Sequence, residues 1–188
     1  MKKGYIVFLV AVAILFSAYQ AFKFQYNRLV LLDQKVQESW SQIENVLQRR
    51  NDLIPNLVET VKGYAKHEKE LFLEVTEARS RWAGAKTVKE KEAAAGGISG
   101  VLSRLLLVAE NYPELKASGN FLSLQDELAG AENRIAVERK RYNESVNGYN
   151  SIAKSFPAIL FVRLFKFDGE KEYFQSVEGS SIPPAVQF

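Results

Sequence analysis

The chain has no cysteine, a single histidine and a single methionine among its 188 residues. Without cysteine there are no disulfides, no thiolate nucleophile and no cysteine-ligated metal. A lone histidine also excludes the paired Glu-x-x-His signature of a ferritin-like di-iron bundle, and the residue three before His67 is Tyr64, not glutamate. No long block of one charge is present: 25 basic and 22 acidic residues are interspersed, for a formal charge of +3. Nucleic-acid binding usually gathers basic residues on one face, so this pattern gives no ground for a nucleic-acid partner. With 11 glycines, 5 prolines and 25% charged residues the chain has neither a disordered nor a low-complexity composition. Its length fits one domain with a sizeable core.

The strongest functional signal lies between Lys3 and Lys23. The nineteen residues 4–22 carry no charge. As a helix they would extend about 28 Å, enough to cross a hydrocarbon core of about 30 Å. Tyr5 at one end, with Tyr19 and Phe22 near the other, suits the aromatic belts of a bilayer, and Lys2, Lys3 and Lys23 can reach headgroups. A cleaved signal peptide begins in the same way. Cleavage wants small residues at −3 and −1, whereas the available ends offer Phe16 with Ala18 or Tyr19 with Ala21, which favours a retained anchor. Basic residues are nearly balanced across the segment, so orientation is poorly fixed, with a slight lean to an extracytoplasmic bundle on the bacterial inner membrane.

Past the anchor, residues 26–82 carry a nearly unbroken apolar stripe. Leu29, Val36, Ile43, Leu57, Tyr64, Leu71 and Ala78 repeat every seven residues or multiples of seven, with Leu32, Val46 and Leu53 as a second column. Trp40, Leu47, Ile54, Val61 and Val75 flank the seam, and three columns per two turns mark a helix packed in a bundle. Two residues interrupt it. Arg50 falls on the seam, and Pro55 would remove one hydrogen bond from a helix interior at a cost of about 3 kcal/mol. Either the helix kinks at Pro55 or a new helix starts there with Asn51 or Asp52 as cap; the unchanged register favours the kink.

From residue 83 the composition shifts to AGAKTVKEKEAAAGGISG, where Gly96, Gly97 and Gly100 are expected to break a helix and turn the chain back. The GGISG run lacks the Lys-Ser/Thr of a phosphate loop. A second helix is predicted over 98–111, ending near Tyr112-Pro113, and a third over 121–155 with Phe121, Leu128, Ile135, Tyr142, Tyr149 and Phe156 on its seam. Glu138 shares that seam and is the natural ionic partner of Arg50, unless Arg50 snorkels to solvent. After Pro157, AILFVRLFKF is too short to span a bilayer yet amphipathic enough to lie on one; a short helix packed over the end of the bundle is the favoured reading, and the candidates for the membrane-surface alternative are Leu160, Phe161, Arg163, Leu164, Phe165 and Lys166. The rest reads as turn, short helix and tail, with Ile182, Val186 and Phe188 available to clip onto a groove.

At 49–70, RRNDLIPNLVETVKGYAKHEKE, the chain resembles the LemA family of membrane-anchored bacterial proteins. YNRLV at 26–30, VTEAR at 75–79, AENYPELKA at 109–117, NFLSLQDEL at 120–128, ENRIAVERKRYNESVNGYN at 132–150 and SFP at 155–157 extend the resemblance over nearly the whole chain. Asn51 and the glycines at 96–100 depart from the family pattern. The resemblance implies an all-α fold: a single N-terminal transmembrane helix, then a long antiparallel bundle of about four helices. It implies no biochemical activity; the family's associations point toward envelope organisation.

The corresponding division is an anchor at 1–25, a bundle at 26–168, and a short helix with an extended tail at 169–188. The candidates for interaction or for shaping the bundle are Pro55 and the polar residues on its helix faces: Arg50, Asn56, Glu132, Asn133, Arg134, Glu138, Tyr142, Asn143, Tyr149 and Asn150. Such a face could bind another copy, or could hydrogen-bond neighbouring helices and fix their register. His67 with Glu70 and Glu74 could line one helix face, which leaves a metal-dependent or hydrolytic enzyme as the alternative reading, yet a lone histidine among Lys66, Glu68 and Lys69 is usually solvated. The favoured expectation is a non-enzymatic single-pass scaffold without cofactor. It would assemble with copies of itself or engage a membrane-protein client, and a lipid-surface module at 158–167 is a further alternative.

Overall fold

A computed structural model describes residues 2–175 of the chain. It is all-α, with no strand among the described residues: α1 Lys2–Tyr64, α2 Lys69–Gly84, α3 Val88–Ala109, α4 Pro113–Lys116, α5 Gly119–Ala153 and α6 Ala158–Phe165. The long apolar N-terminal helix is therefore followed by several packed helices, as expected. Contacts divide the chain into two compact units, one built from residues 2–40 and 142–172, the other from 41–141 and 173–175.

The first unit holds the start of α1, the end of α5 and α6. Its core comprises Leu29 and Val36 of α1, Tyr142, Val146, Tyr149 and Ala153 of α5, and Ala158 and Val162 of α6. These recur at intervals of three, four or seven, the spacing that stacks side chains on one helical face. Every residue from 4 to 22 is exposed. Phe156, expected on the α5 seam, is instead 82% exposed, because α5 stops at Ala153 and the chain turns there before α6. The Phe156-Pro157 peptide is cis. Lys166 closes α6 in the left-handed conformation (φ 56°), and its successor Phe167 donates its amide to the Val162 carbonyl at 3.1 Å, a helix C-cap more often built on glycine. Residues 167–175 contain no helix, so the short helix expected after Asp168 does not begin in this segment; Ile182, Val186 and Phe188 lie outside the described residues.

The second unit packs the remainder of α1 with α2, α3, α4 and the first part of α5. Ile43, Leu47, Ile54, Leu57 and Val61 of α1 are buried together with Leu71, Val75, Ala78 and Trp82 of α2. Ile98, Leu102 and Leu105 of α3 and Leu128, Ala131 and Ile135 of α5 complete the core. Pro55 lies inside α1, and no new helix begins there. By position its missing N–H leaves the Asn51 carbonyl without the usual helical donor, a loss offset by the burial of Ile54, Leu57 and Val58 around it.

Three expectations about this unit fail. The 26–82 stripe is not one helix: it breaks at 65–68, where Ala65 is fully buried and Lys66 and His67 form a turn, while Tyr64 is 43% exposed rather than on the seam. His67 therefore sits in a turn, and the helix face proposed for His67, Glu70 and Glu74 does not form. The turn-back expected at 96–100 occurs at 85–87, and all three glycines are inside α3. A capping box at Thr87 starts α3: the Thr87 hydroxyl accepts from the Glu90 amide at 3.2 Å, and the Glu90 carboxylate accepts from the Thr87 amide at 3.1 Å. The Lys86 amide, which also donates to the Glu90 carboxylate at 2.7 Å, and then the Thr87 amide hold that carboxyl below its ordinary pKa.

Candidate functional site

Two polar constellations stand out, one in each unit. In the second unit α1, α3 and α5 converge on Arg50, whose side chain is 2% exposed although arginine carries a permanent charge. Its Nη1 donates to Glu132 Oε1 at 2.5 Å and to Ser99 Oγ at 2.9 Å, and its Nη2 donates to the Ala95 carbonyl at 3.1 Å. Arg50 Nε and the neighbouring Asn51 Oδ1 are buried without a partner. The expected pairing of Arg50 with Glu138 is wrong. Glu138 accepts from Arg141 at 2.7 Å, one turn along its own helix. Six residues of helix separate Glu132 from Glu138, about 9 Å of rise, and a seam register does not fix the axial stagger between two helices.

Beside this cluster lies a cavity of about 320 Å³ lined by Ser99, Leu102, Ser103, Leu106, Gln125, Leu128, Ala129 and Glu132. Its lining mixes leucines with hydrogen-bonding groups, as a small apolar ligand or an inserted side chain would require. Asn56, Asn133 and Arg134 are solvent-exposed residues of the same unit and do not join the cluster. On α2 the Trp82 indole donates to Gln48 Oε1 at 3.3 Å, and Lys91 lies 4.3 Å from the Trp82 ring centroid while pairing with Glu44 at 3.3 Å. Among the described residues no group of three or more His, Asp or Glu is arranged to hold a metal.

In the first unit the tyrosine and asparagine ladder of α5 grips a backbone. Tyr149 donates its hydroxyl to the Asp168 carbonyl at 2.6 Å, and Tyr142 donates to the Glu172 carbonyl at 2.9 Å. Between them Asn150 makes a reciprocal pair with Lys171: its Nδ2 donates to the carbonyl at 3.0 Å and its Oδ1 accepts from the amide at 2.7 Å. Seven helical residues rise about 10.5 Å, less than the roughly 13 Å of four fully extended residues, and the bend at Gly169 shortens 168–172 so that the two tyrosines meet its ends. The ladder is thus a structural clamp for an irregular segment of backbone. Asn143, on the same helix, is half-buried.

Lys171 completes this clamp. Its ammonium pairs with Asp33 of α1 at 2.8 Å and with Asp168, and lies 5.3 Å from the Tyr149 ring centroid. Burial pushes its pKa down, but the hydrogen bonds to Asp168 and Asp33 outweigh burial and hold it above the ordinary lysine value. Burial raises the Tyr149 phenol, against the opposing pull of Lys171. Trp40 meets Tyr142 edge-on at 5.6 Å, a common aromatic geometry. Sequence reasoning missed Asp33, Ser99 and Lys171. Charged residues far apart in sequence carry no pattern that pairs them, whereas the Tyr142, Tyr149 and Asn150 ladder was visible as polar residues repeating on an apolar face.

α6 supplies a third feature of the first unit. Phe161 lies 4.8 Å and Phe165 5.9 Å from the Phe22 ring, and Phe165 lies 4.9 Å from the Tyr26 ring. Leu160, Arg163 and Leu164 are exposed on the other side of the helix, and Lys166 is exposed just past its end.

"Magnetosome protein MamQ 2" of Paramagnetospirillum magneticum is 26% identical over 187 residues, covering 85% of this chain and 68% of the relative. "Magnetosome protein MamQ" of Magnetospirillum gryphiswaldense is 24% identical over 185 residues, with the same coverage of 85% and 68%. "Protein LemA" of Metamycoplasma hominis is 26% identical over 153 residues, covering 79% of this chain and 67% of the relative. A family model described as "LemA family" matches residues 39–188, which takes in the Arg50 cluster, the α5 ladder and α6, and the chain belongs to the LemA family.

Proposed function

We propose that this is a single-pass protein of the bacterial cell membrane that acts by binding rather than by chemistry. A second copy of the chain is its first partner and a membrane-protein client the next. The observation that carries the reading is the segment 4–22, uncharged and exposed at every position. In water such a surface opposes the effect that folds the rest of the chain, whereas in hydrocarbon a helix of this length and composition is at its most stable. The packed helices after it fall within a family whose magnetosome-named relatives suit a role in envelope organisation. Fixing many copies in one plane raises their effective concentration, so weak contacts suffice for assembly. The near balance of basic residues on the two sides of 4–22 gives this reading only a slight lean to an extracytoplasmic bundle.

Three measurements test this reading. The chain should stay with membranes through an alkaline wash, and a reporter active only outside the cytoplasm should work when fused after Phe188. In mild detergent, light scattering should give a protein mass well above 21.2 kDa. A monomer at every concentration would remove self-assembly, and release by the wash would remove the anchor.

A further inference from the structure

α6 combines two faces that one solvent does not satisfy. Ala158 and Val162 are buried in the first unit, and Phe161 and Phe165 sit against Phe22 and Tyr26 of α1 at ring separations of 4.8–5.9 Å. On the far side Leu160 is 54% and Leu164 68% exposed, Arg163 is exposed between them in sequence, and Lys166 is exposed at the C-cap one residue past the helix. Leucines four apart on a helix stand one above the other, so the exposed pair forms a continuous apolar ridge. The first unit leaves that ridge uncovered.

The place of α6 along α1 identifies what covers it. Phe22 is the last residue of the uncharged run and Lys23 the first charge after it. Tyr26 is one turn, about 6 Å, further along. With 4–22 across the hydrocarbon, Phe22 marks its edge and Tyr26 stands among the headgroups. A helix whose rings touch both is held at that same level, with its uncovered leucines where acyl chains begin and its basic residues where lipid phosphates lie. We propose that α6 is an interfacial helix, its Leu160 and Leu164 ridge embedded in the leaflet from which α1 emerges and Arg163 and Lys166 directed at anionic headgroups. The aromatic contacts then tie the anchor and α6 into one seat that fixes the first unit's orientation on the bilayer. This inference rests on the membrane-spanning reading of α1.

The test exploits the absence of cysteine, which allows one environment-sensitive fluorophore per chain. Full-length Leu164→Cys, Val10→Cys and Glu38→Cys are labelled and placed in nanodiscs of zwitterionic and anionic lipid, with bromine at shallow or deep acyl positions. Glu38 is an exposed α1 residue sixteen positions beyond Phe22, about 24 Å along the helix. Label at Leu164 should lose most of its fluorescence to shallow bromine and little to aqueous iodide. Label at Val10 should respond to deep bromine, and label at Glu38 to iodide alone. Adding Arg163→Glu and Lys166→Glu should reduce the shallow-bromine quenching at Leu164 in anionic discs. If iodide reaches Leu164 and bromine does not while Val10 responds to bromine, the interfacial role is overturned and the anchor stands. If neither quencher reaches Leu164, a second copy or another protein covers the ridge, and lipid is again the wrong occupant. If Val10 escapes bromine altogether, the anchor reading fails and takes this inference with it.

Discussion

Arg50 and Glu132 meet at 2.5 Å with very different surroundings, the guanidinium side chain 2% exposed and the carboxylate 47% exposed. Removing the carboxylate strands a buried charge on Ser99 and one carbonyl, although water reaching the rim replaces part of what is lost. Glu132→Ala should therefore cost about 1–2 kcal/mol, less than a fully buried pair would lose. Arg50→Met fills the space without a charge and should lie within about 1 kcal/mol of the parent protein, since buried pairs replaced by apolar groups are often neutral. The double variant should behave like Arg50→Met alone. Urea unfolding of the full chain in micelles measures all three, and an unchanged midpoint for Glu132→Ala would show that the pair contributes nothing to stability.

Gly97 and Gly100 lie within α3, and a Cβ added to either would meet nothing within 4 Å. Each replaces a better helix former without relieving a close approach, so Gly97→Ala and Gly100→Ala should each raise stability by roughly 0.5–1 kcal/mol. Thermal melting of the two variants decides the point. A gain in melting temperature accompanied by weaker self-association would locate a contact with another chain at these glycines, whereas a loss of stability would contradict the open space around them.

How far the sequence could be read depended on whether a feature was local. The apolar run 4–22 and most of the first seam column of α1 and of the α5 seam rest on patterns within one segment and reappear in the structure; Tyr64 and Phe156 are exposed, and Leu32, Val46 and Leu53 are only half-buried because the flanking Leu47, Ile54 and Val61 take that place in the core. The break at 65–68 was hidden because the apolar sevenfold spacing 57, 64, 71 and 78 runs through it, and the turn GYAKHEKE carries a single glycine and no proline. The glycines of α3 misled in the opposite direction: about 1 kcal/mol each is less than a capping box and a buried face together provide. The box at Thr87 and Glu90 is written in the sequence as T-V-K-E, a local signal that the reading of the glycines as helix breakers leaves out. Arg50 could be seen to need a partner, yet its identity required the stagger of α5 against α1, which no periodicity encodes. Lys171 with Asp33 lay beyond pattern altogether.

Asn150 holds Lys171 through two backbone bonds of 2.7 and 3.0 Å. Asn150→Ala deletes both and leaves a partly buried amide and carbonyl unpaired, at a cost of about 1–3 kcal/mol. Tyr149→Phe deletes one bond, to Asp168, and should cost about 1 kcal/mol. Hydrogen exchange is the direct readout: the Lys171 amide should exchange much faster in Asn150→Ala than in Tyr149→Phe. Equal protection in the two variants would mean that the ionic contacts of Lys171 hold the segment without Asn150.

The same clamp sets a limit at alkaline pH. Lys171 is held above its ordinary value of 10.5, burial being outweighed by its hydrogen bonds to Asp168 and Asp33, and Tyr149 is held above 10.0 chiefly by burial. Both folded values are raised, so both groups contribute stability that is complete below the unfolded values and is lost as pH rises through the folded ones. Deprotonation of Lys171 leaves Asp33 and Asp168 without their shared cation, and a tyrosinate at 149 would add a third negative charge beside them. Melting temperatures measured from roughly pH 8 to 12 should fall more steeply for the parent protein than for a Lys171→Met, Tyr149→Phe double variant, which starts lower and has less to lose. The difference between the two curves isolates the clamp from the other lysines and tyrosines of the chain. Curves that run parallel through this range would show that neither group is linked to folding.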